Sequence, residues 1–285
     1  MPAIDMKQLS RIIEWSVEED IGTGDVTSSA LIPSGEKLKA SIVSREAGVL
    51  AGLIAAREVF RRIDPHIQFA MCLQDGEHTS RDALVAEVSG SARSILAAER
   101  TALNFLQRLS GIATLTAAFV KETRGFAAQI YDTRKTTPGW RAGEKYAVRA
   151  GGGCNHRMGL YDQVLIKDNH IALRPDMTLR EIVKQARKNS RAGTLVEIEV
   201  DSIEQLRQCL DACPDIILLD NMPVGMISHA VSIVHEASGE KRPQLEASGG
   251  ITLANVKRYA ETGVDRISVG AITHSARALD ISLDI

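Results

Sequence analysis

The segment Asp132-Thr133-Arg134-Lys135-Thr136-Thr137-Pro138-Gly139-Trp140-Arg141 gathers three cations and three threonine hydroxyls directly after the apolar run ending in Ile130-Tyr131. Arginine offers a planar fork of donors and lysine a compact charge, so such a turn at the mouth of a strand suits a small, multiply charged anion. Pro138-Gly139 keeps a helix from running through it. Taken alone, the segment reads as a solvated basic loop. The strand ends that follow it change that reading.

Downstream, candidate strands fall at 129–132, 163–166, 194–200, 215–219, 244–247 and 266–269. Their C-terminal ends carry, in order, Asp132-Thr133-Arg134-Lys135, Lys167-Asp168-Asn169-His170, the pair Glu197 and Glu199, Asp220-Asn221, Ser248-Gly249-Gly250 and Gly270-Ala271. Glu197 and Glu199 alternate with Val196, Ile198 and Val200, so both carboxylates face one side of their strand. A carboxylate turned into a protein interior needs a cation or a metal. Glu199 with Asp220 suits Mg²⁺, which takes one or two carboxylates plus water and substrate oxygens; an internal salt bridge to Lys135 or Lys167 serves equally, and the two are compatible. Ser248-Gly249-Gly250, followed by an expected helix over 252–261, and the second glycine turn at Gly270 suit a phosphate, because glycines let backbone amides approach an oxyanion. Steric need alone also places glycine at such turns. Asn155-His156-Arg157 follows Gly151-Gly152-Gly153, which matches neither a dinucleotide fingerprint nor a Walker motif. Arg157 reads as part of the cationic cluster, whereas His156, His170 and His274 stay undecided. By spacing, Arg100 reads as a surface charge.

The elements that position these residues show two textures. Up to about residue 111, alternating strands at 38–43 and 83–88 mix with helices, including an amphipathic one over 1–19 and another over 94–109, with Ser110-Gly111 as a soft punctuation. Beyond it, strand, loop and helix repeat, with capping boxes at Thr178-x-x-Glu181 and Ser202-x-x-Gln205. Strands separated by helices pair in parallel, and this many βα units favour a closed α/β barrel over an open doubly wound sheet. In such a barrel the chemistry lies at the C-terminal strand ends.

The chain has 285 residues, enough for one large domain or two unequal ones, and a net charge of −2, so no global basic field draws nucleic acid or anionic lipid. Aromatics at 4% leave few platforms for stacking on single strands. No apolar run approaches the ~20 residues of a membrane span, and the N-terminus lacks the layout of a secretion signal. The four cysteines form no CxxC pair and read as reduced packing residues of a cytoplasmic protein.

Read together, the segments Glu19-Asp20-Ile21-Gly22-x-Gly24-Asp25-Val26-Thr27, Glu99-Arg100-Thr101-Ala102-Leu103-Asn104, Leu109-Ser110-Gly111-Ile112-Ala113-Thr114, Thr133-Arg134-Lys135-Thr136, Asn155-His156-Arg157, Ile166-Lys167-Asp168-Asn169-His170-Ile171, Leu219-Asp220-Asn221, Glu246-Ala247-Ser248-Gly249-Gly250 and Ser268-Val269-Gly270-Ala271-x-Thr273-His274-Ser275 resemble one family. The sequence is similar to the quinolinate phosphoribosyltransferases of NAD biosynthesis, type II phosphoribosyltransferases, over almost its whole length. The resemblance implies an N-terminal α/β sandwich domain (1–111), an irregular parallel α/β barrel of about seven strands (112–270) and a C-terminal tail (271–285) returning to the first domain. It implies transfer of a phosphoribosyl group from 5-phosphoribosyl 1-pyrophosphate to quinolinate with loss of CO₂, Mg²⁺ as cofactor, and a homodimer or a hexamer of dimers with shared active sites. On this pattern Lys135, Glu199 and Asp220 are catalytic, the latter two beside Mg²⁺. Arg100, Thr133, Arg134, His156, Arg157 and Lys167 bind substrate, Arg100 reaching across the subunit interface. Ser248, Gly249, Gly250, Val269, Gly270, Ala271 and His274 hold the phosphate. Two competitors remain: a related transferase acting on nicotinate or another pyridine, including the family's molybdenum-associated paralogues, and a catalytically silent phosphate-ligand protein. Retention of Lys135, Glu199 and Asp220 speaks against the second.

Overall fold

The computed structural model describes residues 6–238 and 242–285. In chain order the elements are α1 (Met6–Ile21), α2 (Val26–Leu31), β1 (Lys37–Ser44), β2 (Gly48–Val49), α3 (Leu53–Ile63), β3 (Gln68–Met71), β4 (His78–Thr79), β5 (Leu84–Ser91), α4 (Ala92–Glu122), β6 (Gln129–Tyr131) and α5 (Arg141–Ala150). Then come β7 (Val164–Ile166), α6 (Asp168–Ala172), α7 (Leu179–Asn189), β8 (Val196–Val200), α8 (Ile203–Leu210), β9 (Ile216–Asp220), α9 (Val224–Ser238), β10 (Gln244–Ser248), α10 (Val256–Ala260), β11 (Arg266–Ser268), α11 (Ala271–His274) and β12 (Ile281–Asp284). They divide into two compact units. One comprises Met1–Ala117, Lys135–Gly153 and Ile272–Ile285, the other Ala118–Arg134 and Cys154–Ala271.

The first unit holds an antiparallel sheet of order β12-β1-β5-β3. One face of it packs on a core that includes Ile42, Phe60, Val88, Ile95, Phe105 and Leu106. The expected strand over 38–43 lies within β1, and its alternation is what lets one face go into that core. The helix expected over 94–109 is longer: α4 has 31 residues and runs straight through Ser110-Gly111. The glycine there serves packing instead of punctuation, since a Cβ on Gly111 would stand 1.9 Å from the carbonyl oxygen of Arg277. Ser110 pairs with the backbone of Ala51, donating to its carbonyl and accepting from its amide. Of the amphipathic helix expected over 1–19, residues 1–5 lie outside the described residues, and α1 extends to Ile21. The segment after Leu279 forms β12, antiparallel to β1.

In the second unit the six strands are all parallel, in the order β6-β11-β10-β9-β8-β7. A single parallel bridge joins Cys154 to Tyr131 on the far side of β6. The resemblance implies about seven strands, whereas here one bridge stands in sequence between β6 and β7 where a seventh strand would lie. The reason is local: Asp132 turns back on this segment, accepting from the His156 amide and the Asn155 side chain, so the ladder stops after one residue. Apolar residues of β8, β10 and β11 alternate with polar ones, whereas β9 is apolar up to Asp220. Ile198, Ile217, Leu219, Ala247 and Ile267 are wholly buried, and Glu197 and Glu246 occupy the opposite parity.

Thr178 and Glu181 form the reciprocal capping box. Ser202 forms only half of one, because Gln205 accepts from the Asp201 amide instead. The helix expected over 252–261 begins only at Val256. Asn255 folds back, accepting from the Thr252 amide and donating to the Gly250 carbonyl, and so replaces the first helical turn. The helix dipole expected next to Gly250 is therefore displaced by a turn.

Candidate active site

The parallel strands of the second unit deliver Thr133 and Arg134, Lys167, Glu199, Asp220, Ser248 and Gly270 at their C-terminal ends. Register aligns several of them: Ser248 lies beside Asp220 on one flank and Ser268 on the other, and Ser268 lies beside Tyr131.

Lys167 Nζ sits 3.2 Å from Glu199 Oε2, the pairing anticipated as one of the two uses of Glu199. Burial pushes the Glu199 carboxyl above its ordinary value, and the charges of Asp220 and Asp168 push it further, against the pull of Lys167. Two partly buried carboxylates that repel each other at neighbouring strand ends are a donor set a hard divalent cation would relieve. Glu199 and Asp220 thus fit Mg²⁺ by the chemistry of their donors.

Beside them, Asn221 adopts φ of +53°. Its amide donates to the Ser248 carbonyl and its side-chain nitrogen to Asp220 Oδ2. A Cβ on Gly249, itself at φ +98°, would come within 2.1 Å of Asn221 Oδ1, so only glycine fits. Gly250 is exposed, with φ +61° and nothing within 4 Å of a Cβ built on it. Val269 is buried and donates its amide to Tyr131, while Gly270 and Ala271 are half-buried.

Arg157 is buried, and its guanidinium donates to the Gln163 carbonyl. Burial lowers its pKa, and the positive charge of Arg134 lowers it further, against the negative charges of Glu197 and Asp162. Keeping like charges together costs free energy unless an anion joins them.

His156 is buried, with both ring nitrogens engaged inside the protein. The Arg157 amide donates to Nδ1 at 2.8 Å, and Nε2 lies 2.9 Å from Glu197 Oε2 and 3.6 Å from Glu246 Oε1. Burial opposes charging this ring, yet Glu197 and Glu246 outweigh it and raise the pKa. The amide at Nδ1 works the other way: it cannot face a second N–H, so this hydrogen-bond pattern assigns the proton to Nε2 and holds the ring neutral. His156 therefore reaches inward to the strand carboxylates and sets the backbone of Arg157. The Gln163 side chain donates to Glu197, and Arg266 pairs with Glu246 at 2.7 Å while stacking 3.9 Å over the Tyr131 ring. Ligand atoms of His156, Glu197 and Glu246 lie within 4.8 Å of one another, but these carboxylates already serve Gln163 and Arg266. Burial, followed by the charge of Glu197, raises the pKa of Glu246 to about 7, against His156 and Arg266.

Three anticipated residues belong to the first unit: Arg100, exposed on α4; Lys135, exposed and next in the chain to Arg134; and His274, exposed, with Nδ1 2.6 Å from Ser275 Oγ. Sequence reasoning gave no role to Asp132, Gln163, Glu246 or Arg266. The parity of Glu246 with Ser248 and of Arg266 with Ser268 was the available signal, since residues two apart on a strand share a face.

Two sequence models of the quinolinate phosphoribosyl transferase family, for its N-terminal and C-terminal domains, match residues 25–110 and 112–284. The chain belongs to the quinolinate phosphoribosyltransferase family. A probable nicotinate-nucleotide pyrophosphorylase [carboxylating] of Bacillus subtilis is 41% identical over 98% of this chain and 93% of its own length. The nicotinate-nucleotide pyrophosphorylase [carboxylating] of Mycobacterium leprae is 44% identical over 96% of this chain and 95% of its own. Among solved structures, the nicotinate-nucleotide pyrophosphorylase from Francisella tularensis superposes with a TM-score of 0.91 at 40% identity, covering 99% of this chain and 97% of the other. Membership extends over both compact units. Among the described residues, no helix is long and apolar enough to cross a membrane.

Proposed function

We propose that this quinolinate phosphoribosyltransferase family member joins quinolinate to 5-phosphoribosyl 1-pyrophosphate with loss of CO₂, yielding nicotinate mononucleotide and pyrophosphate, as a cytoplasmic enzyme of NAD biosynthesis. The observation that carries the reading is the buried Arg157, whose guanidinium feels the like charge of Arg134, in the same compact unit whose strand ends carry Lys167 paired with Glu199, and Asp220. Paired guanidiniums suit a small dianion, and quinolinate is a dicarboxylate.

In this reading Arg134, Arg157 and Lys167 bind the carboxylates, with Thr133 beside them and His156 fixing Arg157 from within. Lys135 is catalytic, and Arg100 is supplied by a second copy of the chain, in a dimer or a hexamer of dimers. Ser248, Gly249, Gly250, Val269, Gly270, Ala271 and His274 form the phosphate grip. Glu199 and Asp220 hold Mg²⁺, which when bound neutralises the pyrophosphate. The pyridine nitrogen attacks ribose C1 as the bond to pyrophosphate breaks, through an oxocarbenium-like transition state whose positive charge Glu199 and Asp220 face. The C2 carboxylate then departs as CO₂, its bonding electrons stabilised by the quaternised ring nitrogen, and C2 takes up a proton.

The test is purified protein with Mg²⁺, 5-phosphoribosyl 1-pyrophosphate and either quinolinate or nicotinate, followed for mononucleotide and CO₂. Product with CO₂ from quinolinate is expected. Product from nicotinate alone overturns the substrate, and none from either pyridine overturns the activity.

A further inference from the structure

Lys135 is exposed, and the region its ammonium can reach is set by where its backbone is held. The fold grips the Lys135 loop from several sides, all within the first compact unit. Thr273, wholly buried, donates its hydroxyl to the Lys135 carbonyl at 2.7 Å. Arg108 of α4 donates to the carbonyls of Thr273 and Ala276 and to the carboxylate of Glu144 on α5. Glu144, also wholly buried, accepts from both the amide and the hydroxyl of Thr137, two residues past Lys135. Farther along, Arg141 donates to the Thr136 hydroxyl, and Trp140 stacks on Phe105 of α4 with ring centroids 4.5 Å apart.

A closed circuit thus runs from the Lys135 carbonyl through Thr273, Arg108 and Glu144 to Thr137 and back along two peptide units. A fully enclosed glutamate is retained at a cost unless its partners are placed well. Here those partners are the backbone and hydroxyl of the very loop that carries Lys135, and the arginine that neutralises Glu144 also holds the segment bearing Thr273. Packing alone would need none of this charge.

We propose that Thr273, Arg108 and Glu144 are positioning residues of the phosphoribosyl transfer, acting through the main chain of Lys135 to hold its ammonium where it meets the substrates. This rests on the reading of Lys135 as catalytic. Thr273 touches no reacting atom in this arrangement. Its contribution is the direction in which residue 135 leaves the fold.

The experiment compares Thr273→Val, Thr273→Ser, Glu144→Gln, Lys135→Ala and the double variant Lys135→Ala/Thr273→Val in the quinolinate assay, with folded fraction followed by circular dichroism. Thr273→Val keeps the shape and removes the donor. It is expected to lower kcat roughly 10-fold with both KM values within about twofold of wild type, a loss of alignment and not of affinity. Thr273→Ser should recover kcat, and Glu144→Gln, which keeps an acceptor but loses the charge, should fall between. In the Lys135→Ala background, Thr273→Val should remove nothing further, since the group it aims is gone. Wild-type kcat in Thr273→Val, or losses that multiply in the double variant, overturn the inference while leaving Lys135 catalytic. Near-wild-type turnover in Lys135→Ala overturns the reading beneath it. A loss in Thr273→Val that tracks only its folded fraction also overturns the positioning role.

Discussion

Replacing Glu246 by glutamine should change how stability depends on pH. Glu246 is wholly enclosed, and its pKa is raised from the ordinary 4.5 to about 7 by burial and by the charge of Glu197. A folded-state pKa above the unfolded one means that the native protein holds the proton more tightly between those two values. Stability from this group is therefore fully present below the unfolded pKa and is lost as pH rises toward 7. The shift spans roughly 2.5 pH units, each worth about 1.4 kcal/mol, which sets a ceiling of about 3.5 kcal/mol. Arg266 at 2.7 Å offsets part of the charge, so a difference on the order of 1–3 kcal/mol is expected. With a urea m-value of about 3 kcal/mol/M, that moves the midpoint by roughly 0.3–1 M. Glutamine keeps the shape and cannot titrate. Urea midpoints of wild type and Glu246→Gln, measured at pH 5 and pH 8, should move relative to each other by this amount, with glutamine favoured at the higher pH. Parallel curves would show that Glu246 ionises in the folded protein as it does in water, and would refute the account of this interior cluster.

Arg266→Met leaves Glu246 without its closest cation and should push its carboxyl further toward the neutral form, costing on the order of 1–2 kcal/mol at pH 8 and less at pH 5; chemical denaturation at both values checks it. Gly249→Ala sets a Cβ against Asn221 at a positive φ, so it should raise the KM for 5-phosphoribosyl 1-pyrophosphate severalfold and lower the melting temperature. Steady-state kinetics with both substrates decides that, unchanged kinetics counting against the phosphate role of this turn. Arg100→Ala and Lys135→Ala should each be nearly inactive alone, yet recover part of the activity when mixed subunits are formed; no recovery in verified mixed oligomers would refute a shared site.

Much of the second unit was legible because its signals are local. The parity of Glu197 and Glu199 within an apolar strand, and the Thr178-Glu181 box, each depend on residues a few positions apart. What escaped depends on partners far along the chain. Gly111 answers to Arg277, Gly249 to Asn221 and Asp132 to His156, and none of these pairings leaves a periodic trace. The late start of α10 escaped for another reason: Asn255 satisfies the turn with its own side chain, a competition between side chain and helix that spacing rules do not weigh. At the site, residue types at strand ends gave the cations and carboxylates. The inward engagement of both His156 nitrogens needed coordinates.

The pairing of β12 with β1 bears on how the protein can be handled in pieces. One family model ends at residue 110, which invites expression of the leading segment as a free-standing domain. Such a fragment would lose β12, four residues from the other end of the sequence that close one side of the β12-β1-β5-β3 sheet. It would also lose α5 and the buried Glu144 that neutralises Arg108. Its β1 would present a row of unanswered amides and carbonyls, a template for intermolecular strand addition. Supplying residues 272–285 through a linker after residue 117 would restore that seam, and solubility of the fused fragment against the bare one would register the difference.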